Sequence, residues 1–192
     1  MNIGKIIKKR MVRKMTEVWA TSDLHFGHAN ILKFNPDTRK YSDVQDMTKK
    51  MIAEWNSKVS QADEVYVLGD FAFCNAKDAA VIANRLNGKK YLIAGNHDKK
   101  NLASKQFADC FEWVKDYHEM NYNGKFVIMM HYALRVWNKA HHGSYHLYGH
   151  SHGSLPGEGR SMDVGVDATG NVVSPLDDIL AQLEQKSFVK HH

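Results

Sequence analysis

The spacing of apolar residues changes several times along the chain, and each change marks an element. Residues 17–22 (EVWATS) predict a short strand that breaks at once into the polar string DLHFGHAN. From Asp43 to Val59 the apolar positions are Val44, Met47, Met51, Ile52, Trp55 and Val59, the stripe of an amphipathic helix with Ser42 or Asp43 as its N-cap. Glu64 to Leu68 (EVYVL) is a compact apolar run ending at Gly69-Asp70, which predicts a buried strand. Helical spacing returns from Asn75 to Leu86 through Ala79, Ile82, Ala83 and Leu86, and stops at Asn87-Gly88. Lys90 to Ala94 (KYLIA) predicts a third strand, broken by Gly95-Asn96-His97-Asp98.

The second half has a different rhythm. Trp113 to Tyr122 and Lys125 to Met130 flank Asn123-Gly124, a strong hairpin signal. Tyr145 to Tyr148 predicts a short strand running into GHSH, and Ser161 to Val166 another. Pro175 to Gln185 predicts a closing helix with Pro175 in its first turn. Strands that deliver polar residues at their C-terminal ends, in strand-helix-strand order, place a site along that edge of an α/β sheet. No repeat or linker interrupts the chain after residue 16, so residues 16–192 read as one domain behind a basic extension over 1–15.

Composition narrows the picture. The 192 residues are 43% apolar, enough for one well-packed domain and too little for two. No apolar run approaches the roughly 20 residues that span a bilayer, so membrane insertion is not expected. Residues 1–15 have neither a long apolar core nor a small-residue cleavage site, which argues against a secretory signal. Two widely separated cysteines, Cys74 and Cys110, point to a reducing compartment and a cytoplasmic location. The net charge of +5 belongs to the extension: its six basic and no acidic side chains leave 20 basic against 21 acidic groups elsewhere. Such a leader could meet nucleic acid or anionic lipid, or could be a plain extension upstream of a later start at Met11 or Met15.

Five segments concentrate residues of ligand type: Asp23-Leu24-His25, Gly69-Asp70, Gly95-Asn96-His97-Asp98, His131, and Gly149-His150-Ser151-His152. Imidazole nitrogen with carboxylate and amide oxygen suits Mn, Fe, Zn or Ni, and the lack of thiolate disfavours a closed structural zinc site. If the D-x-H and H-x-H pairs are extended, their alternate side chains point the same way.

In order and wording these blocks resemble the calcineurin-like metallophosphoesterases: D-x-H, G-D, G-N-H-[DE], H and G-H-x-H, spread over about two-thirds of the chain. The resemblance implies an α/β fold, a four-layer α/β/β/α sandwich of two mixed β-sheets flanked by helices. It implies two divalent metal ions, Mn2+ foremost with Fe, Ni or Zn as alternatives. One would be held by Asp23, His25, Asp70 and His152 and the other by Asp70, Asn96, His131 and His150, with Asp70 bridging. A hydroxide shared by the ions would attack the phosphate ester in line, and His97 would protonate the leaving group. Asp98 would orient His97 or cap the following turn.

Other residues carry two readings each. Gly27-His28 extends the first block in a form associated with small bacterial and phage members, which makes His28 a substrate contact or a helix cap. Between His131 and Gly149, Arg135 could pair a phosphate and Trp137 could stack a base, or Trp137 and Tyr148 could be packing residues. His141, His142 and His146 are candidates for the rim, whereas His118 reads as a surface or hydrogen-bonded histidine. Asp163 and Asp167 steady the His150–His152 loop or form turns.

Gly69-Asp70-Phe71-Ala72-Phe73-Cys74 lacks the acid and Arg of G-D-x-x-D-R-G, so the resemblance is not to protein Ser/Thr phosphatases. The chain is also too short for the capping domain of the superfamily's repair nucleases. The expected activity is that of a compact phosphoesterase, on diesters ahead of monoesters, with a nucleotide or cyclic nucleotide as candidate substrate. A non-catalytic scaffold of the same fold, or a nucleic-acid-binding protein using its basic leader, are the alternatives.

Overall fold

Short apolar strands alternating with amphipathic helices build, in the computed structural model, two mixed sheets packed face to face. Residues 16–188 are described, and the basic extension over 1–15 lies outside them. The first half comprises β1 (Val18–Thr21), α1 (Ile31–Phe34), α2 (Val44–Lys58), β2 (Glu64–Val67), α3 (Ala76–Arg85), β3 (Lys89–Ile93), α4 (Lys99–Leu102), α5 (Lys105–Ala108) and β4 (Val114–Lys115). The second comprises β5 (Tyr117–Tyr122), β6 (Lys125–Met130), β7 (Tyr145–Tyr148), β8 (Ser161–Asp163), α6 (Val166–Thr169), β9 (Ser174–Pro175) and α7 (Leu176–Glu184). One sheet has the order β4-β3-β2-β1-β9, parallel except for β9, and the other runs β5-β6-β7-β8 with an antiparallel β5–β6 hairpin.

Alternation along the strands assigns each face. Trp19, Val65, Val67 and Leu92 meet the buried stripe Met47, Met51, Ile52 and Trp55 of α2 and the small residues Ala79, Ala80 and Ala83 of α3. Ala20, Tyr66, Leu68 and Ile93 turn the other way, against Val127, Met129, Tyr145 and Leu147 of the second sheet and the apolar side of α7. The helix starts follow the side-chain chemistry: Asp43 accepts from Asp46 N at 2.8 Å and Asn75 from Asp78 N at 3.0 Å. Among the described residues no helix is long and apolar enough to cross a membrane.

Four local expectations change. The run Trp113–Tyr122 is two strands: Val114–Lys115 pairs with β3 in the first sheet and Tyr117–Tyr122 with β6 in the second. Only Asp116 separates the two strands, with no Gly or Pro to mark a break, so the local sequence does not reveal the crossover. The expected strand over Ser161–Val166 ends at Asp163, whose carboxylate accepts from Gly165 N at 2.8 Å and turns the chain into α6. Pro175 lies outside α7 as its N-cap and pairs with Trp19 in β9. Trp137, a candidate base platform, is only 6% exposed and packs with Leu134 and Ala140 on Phe126 and Ile128, the outer face of β6. Its indole N–H donates to Ser144 O at 3.4 Å, so the ring covers the second sheet and has no free face for a base.

Because Trp137 is the largest residue of that thin cover, Trp137→Ala should lower unfolding stability by about 3–5 kcal/mol. Urea unfolding checks this; an unchanged midpoint would contradict the packing role.

Candidate metal centre

The chain leaves β1, β2, β3, β6 and β7 at neighbouring C-terminal ends, and within a few residues of each lies a residue of the expected ligand set. Two groups of donors form. Asp23, His25 and His152 place one donor atom each within 4.8 Å of one another, and so do Asp70, His131 and His150. Asp70 joins the groups: its Oδ2 is 3.7 Å from His25 Nε2 and 3.6 Å from His131 Nε2. Asn96 Oδ1 lies 3.1 Å from His131 Nε2.

Hydrogen bonds on the far side of the rings fix which nitrogen faces inward. His131 Nδ1 donates to Leu68 O at 2.7 Å, and His152 Nδ1 donates to Asp167 Oδ2 at 2.7 Å. Their Nε2 atoms therefore point lone pairs into the site, at Asn96 Oδ1 and at Asp23 Oδ1, the latter 3.9 Å away. Asp23 Oδ1 and His25 Nε2 are buried with no hydrogen-bond partner, and they face each other at 3.8 Å. Buried polar atoms are normally satisfied. Acceptors that converge at 3.6–3.9 Å are too far apart to share a proton and are spaced like neighbouring ligands on a cation with bonds of about 2.0–2.2 Å. The residues fit two divalent ions.

Charge supports the same reading. Burial lowers the His25 imidazole to about 2, so it is a neutral donor at ordinary pH. Burial pushes the Asp23 carboxyl up to about 6, against the partly offsetting pull of His131 and His152. The hydrogen bond to Asp167 raises His152 in spite of burial. Burial would also raise Asp167, but His152 and Arg39 hold it well below the usual carboxylate range.

The backbone corrects one expectation. The D-x-H and H-x-H pairs are not extended: φ is +54° at Asp23, +50° at His25, +51° at Asp70, +67° at His150 and +47° at His152. Each such residue costs about 1–2 kcal/mol relative to right-handed backbone. Contacts between loops hold the conformation, including Asp23 N to Gly69 O and His25 N to Asp70 O at 3.0 Å, and His150 N to Asp23 Oδ2 at 2.8 Å. Glycine is required where the loops touch. A Cβ at Gly95 would strike the Asp70 carboxylate, and one at Gly149 would strike Ser22 Oγ and Asp23 Oδ2.

Two residues brace the ligands from behind. Arg39, 2% exposed, donates through Nε and Nη2 to Asp167 at 2.8 Å, and its Nη groups also reach the carbonyls of Asp23 (2.6 Å) and Leu24 (3.2 Å). Asp167 thereby links the first ligand loop to His152. Asp98 is corrected from a partner of His97: its carboxylate accepts from Asp70 N, Phe71 N and Gly95 N at 2.8–3.0 Å and gives no side-chain cap to α4. It positions Asp70. Asp163 steadies the last ligand loop by accepting from Gly153 N at 2.9 Å.

His97 belongs to neither donor group among the described residues. Its backbone N–H donates to Asp70 Oδ1 at 2.9 Å, and its half-exposed ring places Nε2 3.9 Å from Asp70 Oδ2. His28 lies beside the first group, Nδ1 to His25 Nδ1 at 3.4 Å. Arg135 is exposed and lines a separate 180 Å³ pocket with Leu134, Tyr148 and Leu155, which contains none of the ligands. His146 is buried under the loop it was expected to rim, accepting from Leu134 N at 3.0 Å, and Tyr148 is buried with its hydroxyl donating to Leu155 O.

A profile of the calcineurin-like phosphoesterase superfamily domain matches residues 17–167. The chain belongs to this superfamily. An uncharacterized protein of Methanocaldococcus jannaschii is 30% identical over 184 residues, covering 92% of this chain and 96% of that protein. The gene 66 protein of Mycobacterium phage L5 is 32% identical over 87 residues, 44% of this chain and 41% of the phage protein. A solved structure of a protein of unknown function from Aquifex aeolicus superposes with a TM-score of 0.70 at 22% identity, covering 88% of this chain and 100% of that one, and so shares the fold. Superfamily membership carries phosphoester hydrolysis and divalent-metal binding, and the two donor groups are the matching candidate sites.

Two outcomes are expected. Asp167→Asn should weaken metal affinity about 10–100-fold, read by competition with a metallochromic chelator; unaltered affinity would remove the bracing role. A divalent ion must displace the proton that Asp23 holds below about pH 6, so affinity should fall at least about tenfold per unit below that pH. The raised His152 acts in the same direction. Isothermal titration from pH 5 to 8 measures the profile, and a flat one would contradict it.

Proposed function

We propose that the protein is a dinuclear-metal phosphodiesterase in which His97 is the general acid. The observation that carries this is the placement of Asp70 Oδ2, nearly equidistant from His25 Nε2 and His131 Nε2 at 3.7 and 3.6 Å, with His97 Nε2 at 3.9 Å and outside both donor groups. In this reading Asp23, His25, Asp70 and His152 hold one ion and Asp70, Asn96, His131 and His150 the other. Two bound divalent ions, Mn2+ first among the candidates, would supply a water activated near neutral pH and positive charge against the phosphoryl oxygens.

The chain's own residues account for the rest. A water oxygen bonds to phosphorus as the bond to the leaving alkoxide breaks; His97 gives its proton to that alkoxide, and the proton lost by water passes to solvent. A half-exposed imidazole beside the donor groups can reach a leaving oxygen and be reprotonated from bulk water. Gly69-Asp70-Phe71-Ala72-Phe73-Cys74 offers no Arg against the second charge of a monoester, which favours the singly charged diester. A nucleotide or cyclic nucleotide is the substrate class considered first. The free thiols Cys74 and Cys110 suit a reducing, cytoplasmic setting. The alternative of a non-catalytic scaffold is disfavoured because the ligand set and the acid are all present.

The test is reconstitution. Chelator-stripped protein should regain hydrolysis of a diester on addition of Mn2+, and His97→Ala should lose about 10²–10⁴-fold in kcat while still binding two ions per chain by elemental analysis. Full activity in that variant would overturn the acid assignment, and saturation at one ion would overturn the dinuclear one.

A further inference from the structure

Aromatic surface beside the donor groups is not used by the chemistry above. Phe71 and Ala72 are buried, but Phe73 is 48% exposed on a backbone held by its N–H donating to Phe26 O at 2.8 Å. One side of Phe73 stacks on His28, centroids 4.3 Å apart and planes 24° apart, and its ring meets His97 edge-on at 5.1 Å. Phe34, 68% exposed, extends the strip with its ring 6.1 Å from His28. A cavity of 350 Å³, within the range of small-molecule sites of about 300–1,000 Å³, is lined by Phe73 and His97. Ala72, Cys74, Asn75, Lys100 and Asn101 complete its wall.

Large rings left in water on a fixed backbone cost burial that a core would have supplied, and they cluster where a planar partner is bound. The position relative to His97 says which part of the substrate that is. A general acid sits on the side of the leaving alcohol, so a group bound in the cavity that His97 and Phe73 both line is carried by the leaving alcohol. Lys100 adds a donor for carbonyl or ring-nitrogen acceptors at the edge of such a group.

We propose that Phe73, backed by His28, is the specificity-determining platform that stacks the base of a nucleoside leaving group, so that the preferred substrates are nucleoside phosphodiesters. This rests on the phosphodiesterase reading with His97 as acid. His28 is then a support for the platform and contributes to substrate binding through its ring face.

The experiment uses the full chain loaded with Mn2+ and two diesters alike except for the base, adenosine 5′-(methyl phosphate) and ribose 5-(methyl phosphate). Chromatography follows release of adenosine or ribose. The wild-type protein should favour the adenosine diester about tenfold or more in kcat/KM, the scale of one stacked base. Phe73→Leu should bring the ratio toward one and Phe73→Tyr should keep it. Adenosine binding by saturation-transfer NMR should weaken in Phe73→Leu and persist in Phe73→Tyr. Equal hydrolysis of the two diesters by the wild type, or a ratio unmoved in Phe73→Leu, overturns the platform and leaves the phosphodiesterase reading intact. No hydrolysis of either diester overturns that reading instead; the NMR comparison then decides on the platform alone, equal binding by wild type and Phe73→Leu rejecting it.

Discussion

Lone pairs that face one another with no proton between them govern how this molecule is built. The hydrogen bonds from His131 to Leu68 O and from His152 to Asp167 occupy one nitrogen of each ring and turn the other inward. Asp23 Oδ1 and His25 Nε2 complete a buried set of acceptors suited to a cation. The left-handed backbone at five ligand positions, the glycines with no room for a Cβ, and the buried Arg39–Asp167 pair all keep those acceptors converged.

A buried ion pair is weak ground for stability, since desolvation offsets much of its attraction. Arg39 is better understood through what it touches. Its guanidinium spreads over the carbonyls of Asp23 and Leu24 and over the carboxylate that orients His152, and so ties the first and last donor loops together through one planar group. Asp98 does the equivalent for Asp70, with both carboxylate oxygens committed to backbone N–H groups.

Much of this was legible in the chain. The stripe from Val44 to Trp55, the Asn123-Gly124 turn and the ordered ligand blocks became α2, the β5–β6 hairpin and the donor groups. What escaped has definable causes. Only Asp116 separates β4 from β5, with no Gly or Pro at the break, so pairing is what reveals the transfer. Trp137 sits in a stretch with no helical or strand period yet is buried, because burial there depends on the outer face of β6 and not on local pattern. Arg39 lies between motifs, and its role comes from long-range hydrogen bonds that carry no periodic signal. Asp98 had a motif but not a direction; its carboxylate turns away from the neighbouring His97 toward the Gly69–Asp70 loop.

The origin of the candidate ligands has a mechanical consequence. Asp23 and His25 follow β1 of the first sheet while His152 follows β7 of the second; Asp70 follows β2 while His131 and His150 follow β6 and β7. Each ion would therefore be a rivet through the seam between the sheets, and its loss would slacken the seam before either sheet frays. Occupancy adds to folding free energy as RT ln(1 + [M]/Kd), so the lifetime of the folded chain would follow the free metal around it. The catalyst would double as a gauge of its own cofactor supply, with protein starved of metal opening along the seam and exposed to degradation first.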